Sequence, residues 1–127
     1  HLLDKDEQPM LVGASDWRYQ CAWILEVVQG ADMPDETIKK ELNQVISNEF
    51  QKKGVLDTLN LKGLNLGYPG CKVIKHLIES TLLLFLDLQQ TNLDQDCAHI
   101  LATALKKNPP LRSLILSGNN LGSKGAI

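Results

Sequence analysis

Three stretches of the chain, LDTLNLKGLNL (residues 56–66), LLFLDLQQTNL (83–93) and LRSLILSGNNL (111–121), are copies of one pattern whose starts lie 27 and 28 residues apart. Each has leucine at its first, fourth, sixth and eleventh positions: Leu56, Leu59, Leu61 and Leu66; Leu83, Leu86, Leu88 and Leu93; Leu111, Leu114, Leu116 and Leu121. All twelve positions match, which marks an internal repeat. The L-x-L step has a period of two, so both leucines share one face of a short strand and the residues between them face the other way. The period then becomes helical. Cys71, Ile74, Leu77 and Ile78 lie on one stripe of residues 69–80, and Cys97, Leu101, Ala104 and Leu105 on one stripe of 95–107. Each unit is thus a strand, a turn and a helix. The helix is the crossover that lets the next strand pair in parallel, and stacked units of this kind form a curved solenoid with strands inside and helices outside.

Over residues 55–127 this pattern resembles the leucine-rich repeat family, in its long ribonuclease-inhibitor-like form; the best local match is residues 93–127. The resemblance implies an α/β fold: a short right-handed leucine-rich-repeat solenoid, parallel strands concave and helices convex. About two and a half units begin at residues 56, 83 and 111, the last incomplete. The family usually places Asn or Cys at the ninth position, where the side chain satisfies backbone groups of the turn; that position holds Leu64, Thr91 and Asn119. Thr91 can still hydrogen-bond and Leu64 cannot, so the first unit is expected to turn differently, with Asn65 substituting.

Leucine is sparse before the repeats, with 5 copies in residues 1–53 against 18 in 54–127, so the first part is organised differently. Trp17, Cys21, Ile24, Leu25 and Val28 make one apolar stripe of a helix over 16–29, capped by Ser15 or Asp16. After a break at 30–34, Ile38, Leu42, Val45, Ile46 and Phe50 make another over 35–52, and Gly54 stands where a helix-ending glycine belongs. Residues 15–54 are expected to be an N-terminal helical cap covering the end of the leucine core, and 1–14 an irregular lead-in. At the other end LGSKGAI (121–127) aligns with LDQDCAH (93–99), so the third helix is only begun. The start at His1 and this unfinished unit suggest a piece of a longer protein, with an open strand edge through which the chain could self-associate.

Composition narrows the functional classes. The 127 residues are 43% hydrophobic and 22% charged, a globular composition, with a net charge of −2 that favours neither nucleic acid nor an anionic membrane. The longest apolar stretch, 81–86, is far too short to span a bilayer. Three cysteines without a CxxC pair, and no asparagine in an N-x-Ser/Thr acceptor, point to the cytoplasm, with the nucleus as second choice. His76 and His99 have no nucleophile in a recognisable arrangement and read as surface histidines, whereas Cys71 and Cys97 read as small core residues. The glycines at 63, 67, 70, 118, 122 and 125 follow the repeat and serve its turns without forming a phosphate-binding loop. The lysine pairs at 52–53 and 106–107 read as solvated charges near helix ends. No catalytic, cofactor-binding or metal-ligating residues are expected.

Function is then expected on the non-leucine strand positions. The candidate partner-binding residues are Asn60, Lys62, Phe85, Asp87, Gln89, Arg112 and Ile115. Phe85 and Ile115, one strand apart, form an apolar pair on a face that should be wet. The expected function is a non-enzymatic protein–protein interaction module using the concave strand face, with another protein as partner and neither nucleic acid nor membrane. The resemblance also implies an alternative, a non-catalytic regulator such as a small-GTPase activator or an actin pointed-end capper, for which Arg112 is the presentable cation.

Overall fold

A computed structural model describes residues 16–107 and 109–121. The expected lead-in at 1–14, the alternative cap Ser15 and the tail beyond Leu121 lie outside these residues. Helix α1 spans Trp17–Gln29, and the Asp16 carboxylate caps it by accepting from the Arg18 N–H at 3.0 Å. Helix α2 spans Glu36–Lys53; Asp35 accepts from the Thr37 N–H at 2.8 Å, and the helix ends on Gly54 at φ 75°, whose N–H returns to the Phe50 carbonyl. A side chain at Gly54 would be strained by that left-handed backbone and would also touch the Trp17 ring. The stripes read from the sequence are those that meet: Cys21, Ile24 and Val28 of α1 and Leu42, Ile46 and Phe50 of α2 are buried, with Trp17 stacked on Phe50 at 5.9 Å between centroids. Met33, in the break between the helices, closes this small core.

The remainder alternates: β1 (Thr58–Asn60), α3 (Gly67–Ser80), β2 (Phe85–Asp87), α4 (Gln95–Leu105) and β3 (Ser113–Ile115). The strands pair in parallel in the order β1-β2-β3, with Leu59 opposite Leu86 and Leu86 opposite Leu114. The leucine repeat thus becomes pairing register, and hydrogen bonds such as Gly63 N–H to Gln89 O (3.0 Å) and Gln90 N–H to Ser117 O (3.0 Å) carry the ladder past the nominal strand ends. Behind the sheet, α3 and α4 lie against each other, and α2 packs on β1. Pro69 sits in the first turn of α3, where a missing N–H costs no helical bond, which lets that helix begin two residues earlier than the apolar periodicity predicts.

The α/β character is as expected, but the solenoid is not. Among the described residues four helices accompany three short parallel strands in one open sheet, and no curved stack of repeats develops. Among the described residues only two strand–helix units are complete: the first is flanked by the α1–α2 hairpin, and the third supplies a strand alone. Three strands of three residues accumulate too little repeated rotation to define concave and convex surfaces, so the sheet has simply a strand face and a helix-covered face.

Burial is graded across the sheet. Leu56, Leu59, Leu61, Leu83, Leu86 and Leu88 are fully buried, whereas Leu111, Leu114 and Leu116 are only half-buried. On the helices Leu105 is exposed, leaving Cys97, Leu101 and Ala104 as the inward stripe of α4. Gly70 is not a turn residue: it is buried inside α3, where a Cβ would come within 2.6 Å of the Leu66 Cβ.

The turns after the strands reuse one backbone conformation. Gly63, Gln90 and Gly118, equivalent in the three copies, all have positive φ (83°, 54° and 77°), a region that a residue with a side chain enters at a cost. Asn119 then joins two units. Its Nδ2 donates to the carbonyls of Leu88 (2.7 Å) and Leu116 (2.9 Å), while its Oδ1 accepts from the Thr91 and Leu93 N–H groups at 3.0 and 2.9 Å. Thr91, fully buried, donates its hydroxyl to Leu88 O at 2.7 Å. Asn65 does not substitute for Leu64 in the first turn; its carbonyl oxygen accepts from Asn92 Nδ2 at 2.9 Å, an exposed link to the next unit. Asn119→Ala removes these four hydrogen bonds and two longer ones, to the Thr91 hydroxyl and the Ser117 carbonyl, and strands backbone groups away from water, so we expect a loss of about 2–4 kcal/mol in urea unfolding. Asn65→Ala, at an exposed pair, should cost less than about 1 kcal/mol in the same measurement.

Candidate functional site

Register decides which of the candidate residues are neighbours. Phe85 lies between Thr58 and Ser113, and Asp87 between Asn60 and Ile115. Phe85 and Ile115 are therefore not a directly opposed pair. They are diagonal, two residues apart along adjacent strands, with backbones about 8 Å apart from ordinary sheet spacings. Both are nonetheless exposed, Phe85 by 45% and Ile115 by 41%, because the leucines between them face the helices.

Asn60, Lys62, Asp87 and Gln89 terminate their strands in a repeated way. Asn60 Oδ1 accepts from the Lys62 N–H and Asp87 Oδ1 from the Gln89 N–H, each at 3.0 Å, so a short polar side chain turns the backbone two residues on. The Gln89 amide also donates to both Asp87 carboxylate oxygens (3.1 and 3.0 Å), and its carbonyl accepts from the Ser117 hydroxyl at 3.1 Å. Asp87 is thus occupied by its own strand. Arg112 and Lys62 are exposed, and among the described residues neither has a carboxylate within ion-pair distance.

The other charges near the strand entries are paired. Lys53 meets Asp57 at 3.1 Å, and Glu79 at the end of α3 meets Lys75 and Lys107, both at 3.0 Å. Lys107 is therefore not simply a solvated charge at a helix end; it ties the segment after α4 to α3. Hydrogen bonding from Lys107 and then Lys75 holds the Glu79 carboxyl below its ordinary value. The sheet's strand-entry end carries further apolar surface. Val55, Leu82 and Pro110, each immediately before the leading leucine of its copy, are all exposed, Leu82 by 73%. Leu82 and Pro110 line a groove of about 320 Å³ with Gln20, Glu79, Lys107 and Pro109. The sequence signal was present at these equivalent positions, but a residue beside the leucine pattern carries no periodicity of its own.

The groups considered for chemistry lie elsewhere. Cys71 and Cys97 are completely buried: the Cys71 thiol contacts the Cys97 carbonyl at 3.6 Å, and burial raises both thiols above their ordinary values. His99 is exposed, but His76 is half-buried, its ring 5.1 Å from that of Trp23 and its Nε2 buried without a hydrogen-bond partner among the described residues. Among the described residues no three His, Cys, Asp or Glu side chains gather where they could hold a metal ion, and no helix is long and apolar enough to cross a membrane. The chain matches no protein-family model, no curated protein and no solved structure in comparisons of all three kinds.

Glu79 gives the site region a pH dependence of definite sign. A depressed carboxylate contributes stability that is present above its unfolded value, about 4.3, and is lost as pH falls through its lower folded value. We expect Glu79→Gln to flatten the acid limb of the stability–pH curve below about pH 5 without altering the slope near neutrality, measured by denaturant unfolding at successive pH values. Cys71 and Cys97 should remain unmodified by a bulky maleimide in the folded protein at neutral pH and react in full after unfolding, read by mass spectrometry.

Proposed function

We propose that the chain is a non-enzymatic protein–protein interaction module that binds through the strand face of its sheet. The observation that carries this reading is the exposure of Phe85 and Ile115 on a face otherwise lined by Thr58, Asn60, Asp87 and Ser113, while the neighbouring strand leucines supply the core. Apolar side chains held on strands keep a fixed position, so burying them against a partner orders little more of the chain. The resemblance to leucine-rich repeat proteins supports the same reading. The buried, unpaired Cys21, Cys71 and Cys97, together with the lack of a glycosylation acceptor, support a cytoplasmic or nuclear setting.

Phe85→Ala should weaken binding to the partner by about 1–3 kcal/mol, through lost apolar burial, with an unchanged unfolding midpoint because the ring contributes little to the core. Calorimetric titration of the isolated partner with the wild-type and variant chains checks this. Full affinity in the Phe85→Ala, Ile115→Ala double variant would remove the strand face as the binding surface.

A further inference from the structure

We infer that Cys71 and Cys97 form a redox latch: in the presence of a low-molecular-weight disulfide they join in one disulfide that ties the first strand–helix unit to the second. The strand-face reading uses neither residue, and this inference is independent of it. Cys71 lies on α3 and Cys97 in the first turn of α4, and each thiol reaches the other helix. Cys71 Sγ is 3.6 Å from the Cys97 carbonyl oxygen, and Cys97 Sγ is 3.9 Å from the carbonyl oxygen of Gly67, the first residue of α3. The two sulfurs are also close enough to interact with each other. A cysteine that only fills core volume needs no thiol neighbour, and Cys21 has none: beside it in the hairpin core is the Ser47 hydroxyl.

Burial decides when the bond forms. Desolvation raises both thiols above their ordinary values, so in the closed molecule neither becomes the thiolate that attacks a disulfide. A thiol reagent applied briefly to the folded chain meets only closed molecules. Reaction goes instead through transient separation of α3 from α4, which returns water to both sulfurs. In that opened state one thiol loses its proton and attacks glutathione disulfide, the oxidant; a protein–glutathione S–S bond forms and one glutathione thiolate leaves. The bulky adduct does not fit back into a completely buried site, so the second cysteine, deprotonated in turn, attacks the protein sulfur. The Cys71–Cys97 bond forms, the second glutathione thiolate leaves, and the two released thiolates take up the two protons. Two protein thiols are thus oxidised by two electrons, and one glutathione disulfide is reduced to two thiols. With the helices closed again the bond is shut away from thiol reductants. The covalently closed segment, 71–97, contains the whole of β2 with Phe85 and Asp87, so the latch holds the central strand between its two helices.

The test incubates the full chain with glutathione disulfide at neutral pH, blocks the remaining thiols with N-ethylmaleimide in denaturant, and maps the unreduced peptides by mass spectrometry. The expected product has lost two hydrogens, joins Cys71 to Cys97 and leaves Cys21 to be blocked. It should accumulate about tenfold faster or more in urea just below the unfolding transition, where the opened state is more populated. The latched chain should unfold at a higher urea concentration than the reduced chain, because the cross-link restricts the unfolded state. Cys71→Ala and Cys97→Ala should each abolish both the product and the shift. Circular dichroism checks the fold of the variants, and the mapping of the wild-type chain decides the matter even where a variant does not fold. A disulfide that includes Cys21, lasting glutathione adducts on Cys71 or Cys97 in the wild-type chain, no cross-link even in mild urea, or a cross-linked chain that unfolds at lower urea would each overturn the inference.

Discussion

Strands of three residues do not hold themselves together, and everything else in this molecule depends on how they are clamped. The clamp has two parts. Leucines at every second strand position stack across the sheet as Leu59, Leu86 and Leu114, burying a continuous apolar layer under α3 and α4. Beyond the strand ends Asn119 gathers four backbone groups from two successive units into one side chain, so polar atoms that the short ladder leaves over are still satisfied. The first part is nonspecific and supplies most of the favourable free energy; the second is directional and fixes how one unit sits on the next.

This division explains why the strand face can be functional. With the leucines committed inward, the residues between them are released from core duty, and their identities can vary without loss of the sheet. The face is nevertheless rigid. Asn60 and Asp87 bend the chain back on itself at the strand exits, Gln89 and Ser117 bridge neighbouring units, and paired charges pin the strand entries. Phe85, Ile115 and Arg112 are thus presented at fixed separations, the condition under which a few side chains can discriminate between partners.

Much of the architecture was legible in the sequence because it is written in periodicity. The repeat spacing anticipated the pairing register, the apolar stripes of all four helices are close to those that became buried, and Asp16 and Gly54 cap their helices, while the cap at Asp35 went unread because the sequence reading begins the helix at that residue. The overall shape was not legible. A local pattern states how one unit meets the next, whereas a solenoid is a property of many units, and the number assembled here is too small to build it. The diagonal relation of Phe85 and Ile115 was contained in the repeat, where they are the third and fifth positions of their copies, and the register places those positions in different ranks. The groove beside Leu82 lay beyond the pattern because it is formed by chain brought together from α1, the end of α3 and the segment after α4. Gly70 shows the opposite limit, since a glycine that admits a neighbouring side chain looks, in sequence, like one that makes a turn.

The gradient of burial gives the molecule a direction. At the β1 side the sheet is sealed by the α1–α2 hairpin, with Trp17 against Phe50 and no leucine of the first copy left open; at the β3 side Leu111, Leu114 and Leu116 are each only half enclosed. Contacts run mainly between one strand–helix unit and the next, so disturbing one end need not disturb the other. Under a mechanical load, or in mild denaturant, the third strand is the place where separation begins, and the hairpin with the first strand is the part that remains longest. A partner seated across β2 and β3 would bridge that weaker seam, so occupancy of the face would also act as a splint for the half of the domain least able to hold itself.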